Sequence, residues 1–154
     1  MTIQREKILS VIYRAYGDLS SPNFNFVMKS YDSLKYKKIL SDIYSLFKVK
    51  DHTDLNYDVC VSLELEYLKR PIYLYLSLVS TYAFVFYEGK VIDCNDDVYQ
   101  ALPGLEDILN SHGFVLMDKE NLLCEFDMDV THFDAEDKKA SILGLLFSFG
   151  LSVN

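Results

Sequence analysis

Asp58-Val59-Cys60-Val61-Ser62-Leu63-Glu64-Leu65-Glu66-Tyr67 is the stretch whose reading decides the fold. Val59, Val61, Leu63, Leu65 and Tyr67 alternate with Asp58, Cys60, Ser62, Glu64 and Glu66, the period of two that sends successive side chains to opposite faces of a strand. The pattern predicts a half-buried strand with one wet face. Leu68-Lys69-Arg70-Pro71 then turns the chain. From Pro71 to Tyr87 there is no charged residue, a length at the lower limit for a membrane-spanning helix. Its Tyr, Val, Ser and Thr residues favour a pleated strand instead. The favoured reading is one long strand from Ile72 to Glu88 bent near Ser80-Thr81, with two strands as the alternative, because Ser-Thr is a poor tight turn. Glu88-Gly89-Lys90 makes a hairpin into Val91 to Cys94.

Upstream the period is 3.6. Ile8, Leu9, Val11, Ile12, Ala15 and Tyr16 form an apolar stripe that Gly17 ends in a left-handed cap, predicting a helix over about Thr2 to Tyr16. A second helix begins near Asp32 or Ser33, with Tyr36, Ile39, Leu40, Ile43, Tyr44 and Phe47 on one face and Lys37, Lys38, Ser41, Asp42 and Ser45 on the other. Between them Ser21-Pro22 starts either a short extra helix or a loop.

Downstream, Asn95-Asp96-Asp97 caps a short helical turn, and Pro103 opens a helix that Gly113 ends. Phe114 to Met117 and Leu122 to Met128 flank the polar turn Asp118-Lys119-Glu120-Asn121 and read as a hairpin. Thr131 with Asp134, or Asp134 with Asp137, offers a helix start. The last helix carries Ile142, Leu143, Leu145, Leu146 and Phe149 to the core and stops at Gly150. Helices, then a meander, then a helix, a hairpin and a helix make an α+β fold with N-terminal helices, a mainly antiparallel sheet of about five strands and a C-terminal helix. With 154 residues, half of them apolar, and no linker, residues 1–154 form a single domain.

The start Met1-Thr2-Ile3-Gln4-Arg5-Glu6-Lys7 mixes both charges and does not open into a signal-peptide core, which places the chain in the cytoplasm. Cys60, Cys94 and Cys124 are odd in number and widely spaced, the pattern of reduced, mostly buried thiols. No P-loop, G-x-S-x-G or G-x-G-x-x-G occurs, and His52, His112 and His132 are isolated, so neither an enzyme, a cofactor nor a metal is expected. His112 reads as a helix C-terminal residue. An EF-hand register starting at Glu125 fails because Val130 stands where the loop demands Gly.

The net charge of -8 is unevenly distributed. Residues 1–50 hold nine Lys or Arg against four Asp or Glu, residues 51–90 three against six, and residues 91–154 three against thirteen. A single-domain core cannot take in thirteen carboxylates, so most lie at the surface. Such a surface repels nucleic acid and steers a basic protein. The candidate partner-binding residues are Asp93, Asp96, Asp97, Glu106, Asp107, Asp118, Glu120, Glu125, Asp127 and Asp129. The last three share one face of the expected strand, spaced roughly 7 Å apart. Lys29, Lys35, Lys37 and Lys38 with Tyr31 and Tyr36 resemble an RNA-binding helix only superficially, being the solvated face of an acidic protein.

In size, charge and lack of catalytic motifs the chain resembles bacterial immunity proteins, which neutralise toxins delivered by neighbouring cells, as in contact-dependent growth inhibition. The resemblance is one of class and implies an antitoxin-like inhibitor. As a monomer in a 1:1 complex, its acidic surface would block the basic cleft of a toxin domain such as a nuclease. The chain is also similar to acidic secretion chaperones, which are usually homodimers holding an unfolded client. An enzyme of unknown class is the third alternative, and a deep pocket holding a His beside a carboxylate would support it.

Overall fold

The alternation at residues 59–67 does build a strand at the heart of a sheet. A computed structural model describes residues 5–67, 70–102, 104–133 and 139–153. Helices α1 (Arg5–Tyr16), α2 (Phe26–Tyr31) and α3 (Leu34–Leu46) come first. Strands β1 (Val49–Asp51), β2 (Cys60–Tyr67), β3 (Arg70–Ser77), β4 (Tyr82–Tyr87) and β5 (Lys90–Ile92) follow as an antiparallel meander. The chain then forms α4 (Asp97–Ala101), α5 (Leu105–Ser111), β6 (Val115–Leu116), α6 (Lys119–Leu122), a 3-10 turn (Thr131–Phe133) and α7 (Ile142–Leu146). The two-residue β6 runs parallel to β4, so the six-stranded sheet is mainly antiparallel and the fold is α+β. Among the described residues no helix is long and apolar enough to cross a membrane.

Local chemistry explains the elements that follow the sequence pattern. In α1 the stripe buries Ile8, Ile12 and Tyr16, and Gly17 at φ 72° takes the left-handed cap, its N–H donating to the Tyr13 carbonyl at 2.9 Å. In α3 the stripe buries Tyr36, Ile39 and Ile43, while Tyr44 stays half-exposed. The turn Glu88-Gly89 holds both residues at positive φ, 49° and 81°, and joins Tyr87 to its partner Lys90. Two left-handed residues in succession match the twist of the flanking strands, which is why glycine belongs there.

Several expectations fail, and for most of them the reason is visible. The run from Ile72 to Glu88 is two strands, β3 and β4, paired from Tyr73↔Phe86 to Leu76↔Ala83. The Ser77 hydroxyl accepts from the Val79 N–H at 3.1 Å, and the Tyr82 N–H donates to the Ser80 carbonyl at 2.8 Å. Serine thus closes the turn that its composition seemed to disfavour.

The hairpin expected at residues 114–128 does not form. Val115 and Leu116 pair with β4 instead, and the expected turn at residues 118–121 is α6, because the Asp118 carboxylate caps it by accepting from the Asn121 N–H at 2.9 Å. The alternating second arm is an extended segment laid against residues 140–142. Phe126 N–H donates to the Ala140 carbonyl and Ile142 N–H to the Cys124 carbonyl, both at 2.9 Å, with one isolated bridge between Glu125 and Ser141.

The last helix stops at Leu146, short of Gly150, and all five of its residues are buried. The short extra helix α2 begins at Phe26, four residues beyond Pro22, and β1 had no pattern long enough to reveal it. Of the three thiols only Cys60 is buried; Cys94 is exposed and Cys124 half-buried. The expected features at residues 2–4, 68–69, 103 and 134–138 lie outside the described residues.

The expected wet face of β2 is dry at one end. Val61, Leu63 and Leu65 are buried on one face, opposite Leu76, Leu74 and Ile72. On the other face Cys60 is fully buried and Ser62 nearly so, whereas Glu64 is half-buried. Tyr75 and Phe84 stack there with ring centroids 4.5 Å apart, and Phe147 meets Phe84 edge-on at 4.8 Å. Residue 147 also extends the sheet, its carbonyl accepting from the Val59 N–H at 2.9 Å. The C-terminal segment therefore covers the face that alternation alone assigned to water.

Tyr16 links the N-terminal helix to this segment. Its hydroxyl, 1% exposed as a residue, donates to the Leu145 carbonyl at 2.6 Å. Tyr16→Phe removes the donor and leaves a buried carbonyl short of a partner, a loss of about 1–3 kcal/mol. Urea unfolding should show a lower midpoint with an unchanged slope.

Candidate functional site

Several of the acidic residues singled out from the sequence perform local backbone work. Asp93 accepts from the Asn95 N–H at 2.9 Å just after β5. Asp96 accepts from the Val98 N–H at 2.9 Å and caps α4. Asp118 caps α6. Asp129 folds back to accept both the Thr131 N–H at 3.0 Å and its hydroxyl at 2.8 Å, bonds that hold its carboxyl below the usual carboxylate range. This turn corrects the picture of Glu125, Asp127 and Asp129 as three evenly spaced carboxylates on a strand.

The element contacts sort the ten residues into three places. Asp93, Asp96, Asp97, Glu106 and Asp107 sit on α4, on α5 and at the end of β5, and α4 packs directly on α5. Asp97, Glu106 and Asp107 are exposed in the first turns of their helices, where the helix dipole favours a negative charge. Tyr99 of α4, buried, has its hydroxyl pushed up to about 12, first by burial and then by the nearby Glu106 charge. Glu106 is thereby tied electrostatically to the neighbouring helix. Asp118 and Glu120 belong to α6, which packs on α7. Glu125 lies on the extended segment, beside Lys139 at 3.8 Å and with its own carbonyl accepting from the Arg5 guanidinium at 2.9 Å. Asp127 is exposed further along the same segment.

Among the described residues no cation lies within 4 Å of a carboxylate of the α4–α5 group. Among the described residues the ion pairs within 4 Å are Lys48–Glu66, Lys50–Glu64, His52–Glu64, Arg70–Glu88, His112–Asp42 and Lys139–Glu125. Glu125 is the one candidate residue among them. His112 is the C-cap of α5 as expected, and its Nε2 lies 2.7 Å from Asp42 Oδ2, fastening α5 to α3. On α3, Lys35 lies over the Phe114 ring, 5.7 Å from its centroid.

A second feature was invisible in the sequence. Tyr16, Phe24, Tyr57, Phe133, Phe147 and Phe149 line a cavity of about 270 Å³ beside the C-terminal segment. Three of the rings pack edge to face, Tyr16 to Phe133 at 5.0 Å, Tyr16 to Phe24 at 5.6 Å and Phe24 to Phe133 at 5.8 Å. Asp58 and His132 join the lining. They do not make the His–carboxylate dyad an enzyme would suggest. Among the described residues His132 acts on the exposed carboxylates of Asp18 and Asp129, whereas Asp58 interacts with Ser148 and Asp54. Among the described residues no group of three or more His, Cys, Asp or Glu is placed to hold a metal ion. Comparison with family models, with curated proteins and with solved structures finds no match to this chain.

Among the described residues Asp58 is the one carboxyl in this wall, and its pKa is raised. Burial raises it, the Ser148 hydrogen bond partly counters that, and the Asp54 charge raises it further. Because ionisation is harder in the folded state, its contribution to stability is fully present below the unfolded carboxyl value and is lost as pH rises through the folded one. Asp58→Asn should therefore stabilise the fold at pH 7, by less than about 1 kcal/mol after solvent screening, and raise the Tm accordingly. The gain should vanish near pH 3, where both proteins are uncharged at this position. Thermal melts across that range check both halves.

Proposed function

We propose that the chain is a binding protein that engages a basic protein partner through the acidic α4–α5 corner, in the manner of an immunity protein that neutralises a toxin domain. One observation carries the reading. Asp97, Glu106 and Asp107 are exposed on two helices in contact, with Asp93 and Asp96 at their entrance, and none takes an ion pair within 4 Å among the described residues. Like charges held close and uncompensated repel one another, and a basic surface would relieve that repulsion. Asp96 also serves the fold by capping α4, so the residues free to act outward are Asp97, Glu106 and Asp107. A nuclease toxin, whose cleft is built for a polyanion, is the partner whose charge suits this corner. Asp118, Glu120, Glu125, Asp127 and Asp129 contribute to the long-range field that steers encounter, without belonging to the same corner.

A protein captured from the source cells on the immobilised chain supplies the test. It should be basic and bind 1:1 to a monomer, with affinity falling steeply between low and physiological salt. The triple variant Asp97→Asn, Glu106→Gln, Asp107→Asn should weaken binding by about tenfold or more and flatten the salt dependence. Unchanged affinity, or a stable homodimer on a sizing column that binds unfolded clients, would refute the assignment.

A further inference from the structure

We propose that the aromatic cavity beside the C-terminal segment is a receptor for a guanidinium group, held by Asp58 and stacked on the surrounding rings. The inference stands on the cavity and does not depend on the acidic α4–α5 corner.

The argument starts from the lining. Six aromatic side chains, Tyr16, Phe24, Tyr57, Phe133, Phe147 and Phe149, surround about 270 Å³, a space of side-chain size. Ring faces carry negative potential and attract a cation, most strongly where water is excluded. One wall position is an ionisable oxygen acid, Asp58, half-buried, with the Ser148 hydroxyl bonded to its carboxyl. Asp54 acts on Asp58 from the preceding turn, while Asp18 and Asp129 flank His132. Among the described residues His132 is the one basic residue lining the cavity, and the Asp18 and Asp129 carboxylates lie close enough to feel it. Among the described residues carboxylates outnumber basic groups around the opening.

Among cations the chemistry favours guanidinium over ammonium. A guanidinium is planar, weakly hydrated and able to stack on a ring while its N–H fork meets a carboxylate, whereas an ammonium is a compact and strongly hydrated point charge. A cavity of rings with a single carboxylate supplies both contacts. The Tyr57 side chain lines the cavity at its solvent side, being 85% exposed, and so stands at the entrance. Asp54 holds that turn, its carboxylate accepting from the Asn56 N–H at 3.1 Å and its carbonyl from the Asp58 N–H at 2.9 Å. Asp58 is therefore presented by an ordered loop. Keeping a carboxylate among rings weakens the fold at neutral pH, and such a group is expected where it serves recognition.

The guanidinium has two sources, an arginine side chain of a protein or a small free molecule, and the probes separate them. Binding of ethylguanidinium and of the capped peptide Gly-Arg-Gly is followed by NMR shifts of the Tyr57, Asp58 and Phe133 amides and by calorimetry. Binding of both with similar affinity assigns the site to the head group alone; tighter binding of the peptide assigns it to an arginine of a protein. Asp58→Asn should reduce the affinity at least tenfold while leaving the protein as stable or more so at pH 7, a combination that loss of structure cannot produce. Tyr57→Ala, at an exposed position, should weaken binding severalfold without changing the melt. The proposal is overturned if neither probe binds, if the citrulline peptide binds as well as the arginine peptide, or if Asp58→Asn binds as tightly as the parent chain.

Discussion

The Tyr16 hydroxyl, donating to the Leu145 carbonyl at 2.6 Å, joins two parts of the chain that lie 129 positions apart. Around it the Tyr16 ring meets Phe24, Phe26 and Phe133 edge to face, at 5.6, 5.1 and 5.0 Å. This contact holds α1 over the C-terminal segment while that segment covers one face of the sheet. Without the segment, Cys60, Ser77 and Phe84 would face water, although each is at most 1% exposed in the folded chain. Burial of this kind is non-directional, and the hydrogen bond supplies the register that burial lacks.

The same arrangement creates the cavity. Rings contributed by α1, by the loop after it, by the turn before β2, by the 3-10 turn and by the C-terminal residues converge without filling the space between them. The cavity opens to solvent on the side of Tyr57, which is 85% exposed. Placing Asp58 in its wall carries a penalty at neutral pH, since burial disfavours its charge. A carboxyl kept at such a cost among aromatic rings is easier to understand as part of a binding site than as imperfect packing. The other thiol and phenol groups near it show the opposite logic. Burial pushes the Cys60 thiol up to about 12 and the Tyr75 hydroxyl likewise, so both remain neutral and carry no such penalty.

Legibility in the sequence followed the range of the interaction concerned. Periodicity located α1 and α3, the glycine of Glu88-Gly89 located a hairpin, and Asp96 located the start of α4, because each signal is read within a few residues. Misreadings arose where a distant partner decides. The alternating residues Leu122, Cys124, Phe126 and Met128 have the period of a strand, yet what they lie against is the segment at 140–142, so no hairpin results. Ser77 closes a turn through a hydroxyl that composition rules treat as weak. Charge counting found an excess of carboxylates but could not separate the α4–α5 group from those that cap α6 or fold onto Thr131. The cavity gave no signal at all, since its walls come from residues 16, 24, 57–58, 132–133 and 147–149.

Hydrogen exchange of the free chain against the captured complex addresses the central claim, that this is a binding protein whose acidic α4–α5 corner meets its partner. The account predicts slowed exchange at amides of residues 96–108, with the lysine-bearing outer face of α3 unaffected. Protection centred on α3, with residues 96–108 exchanging as in the free chain, would contradict it.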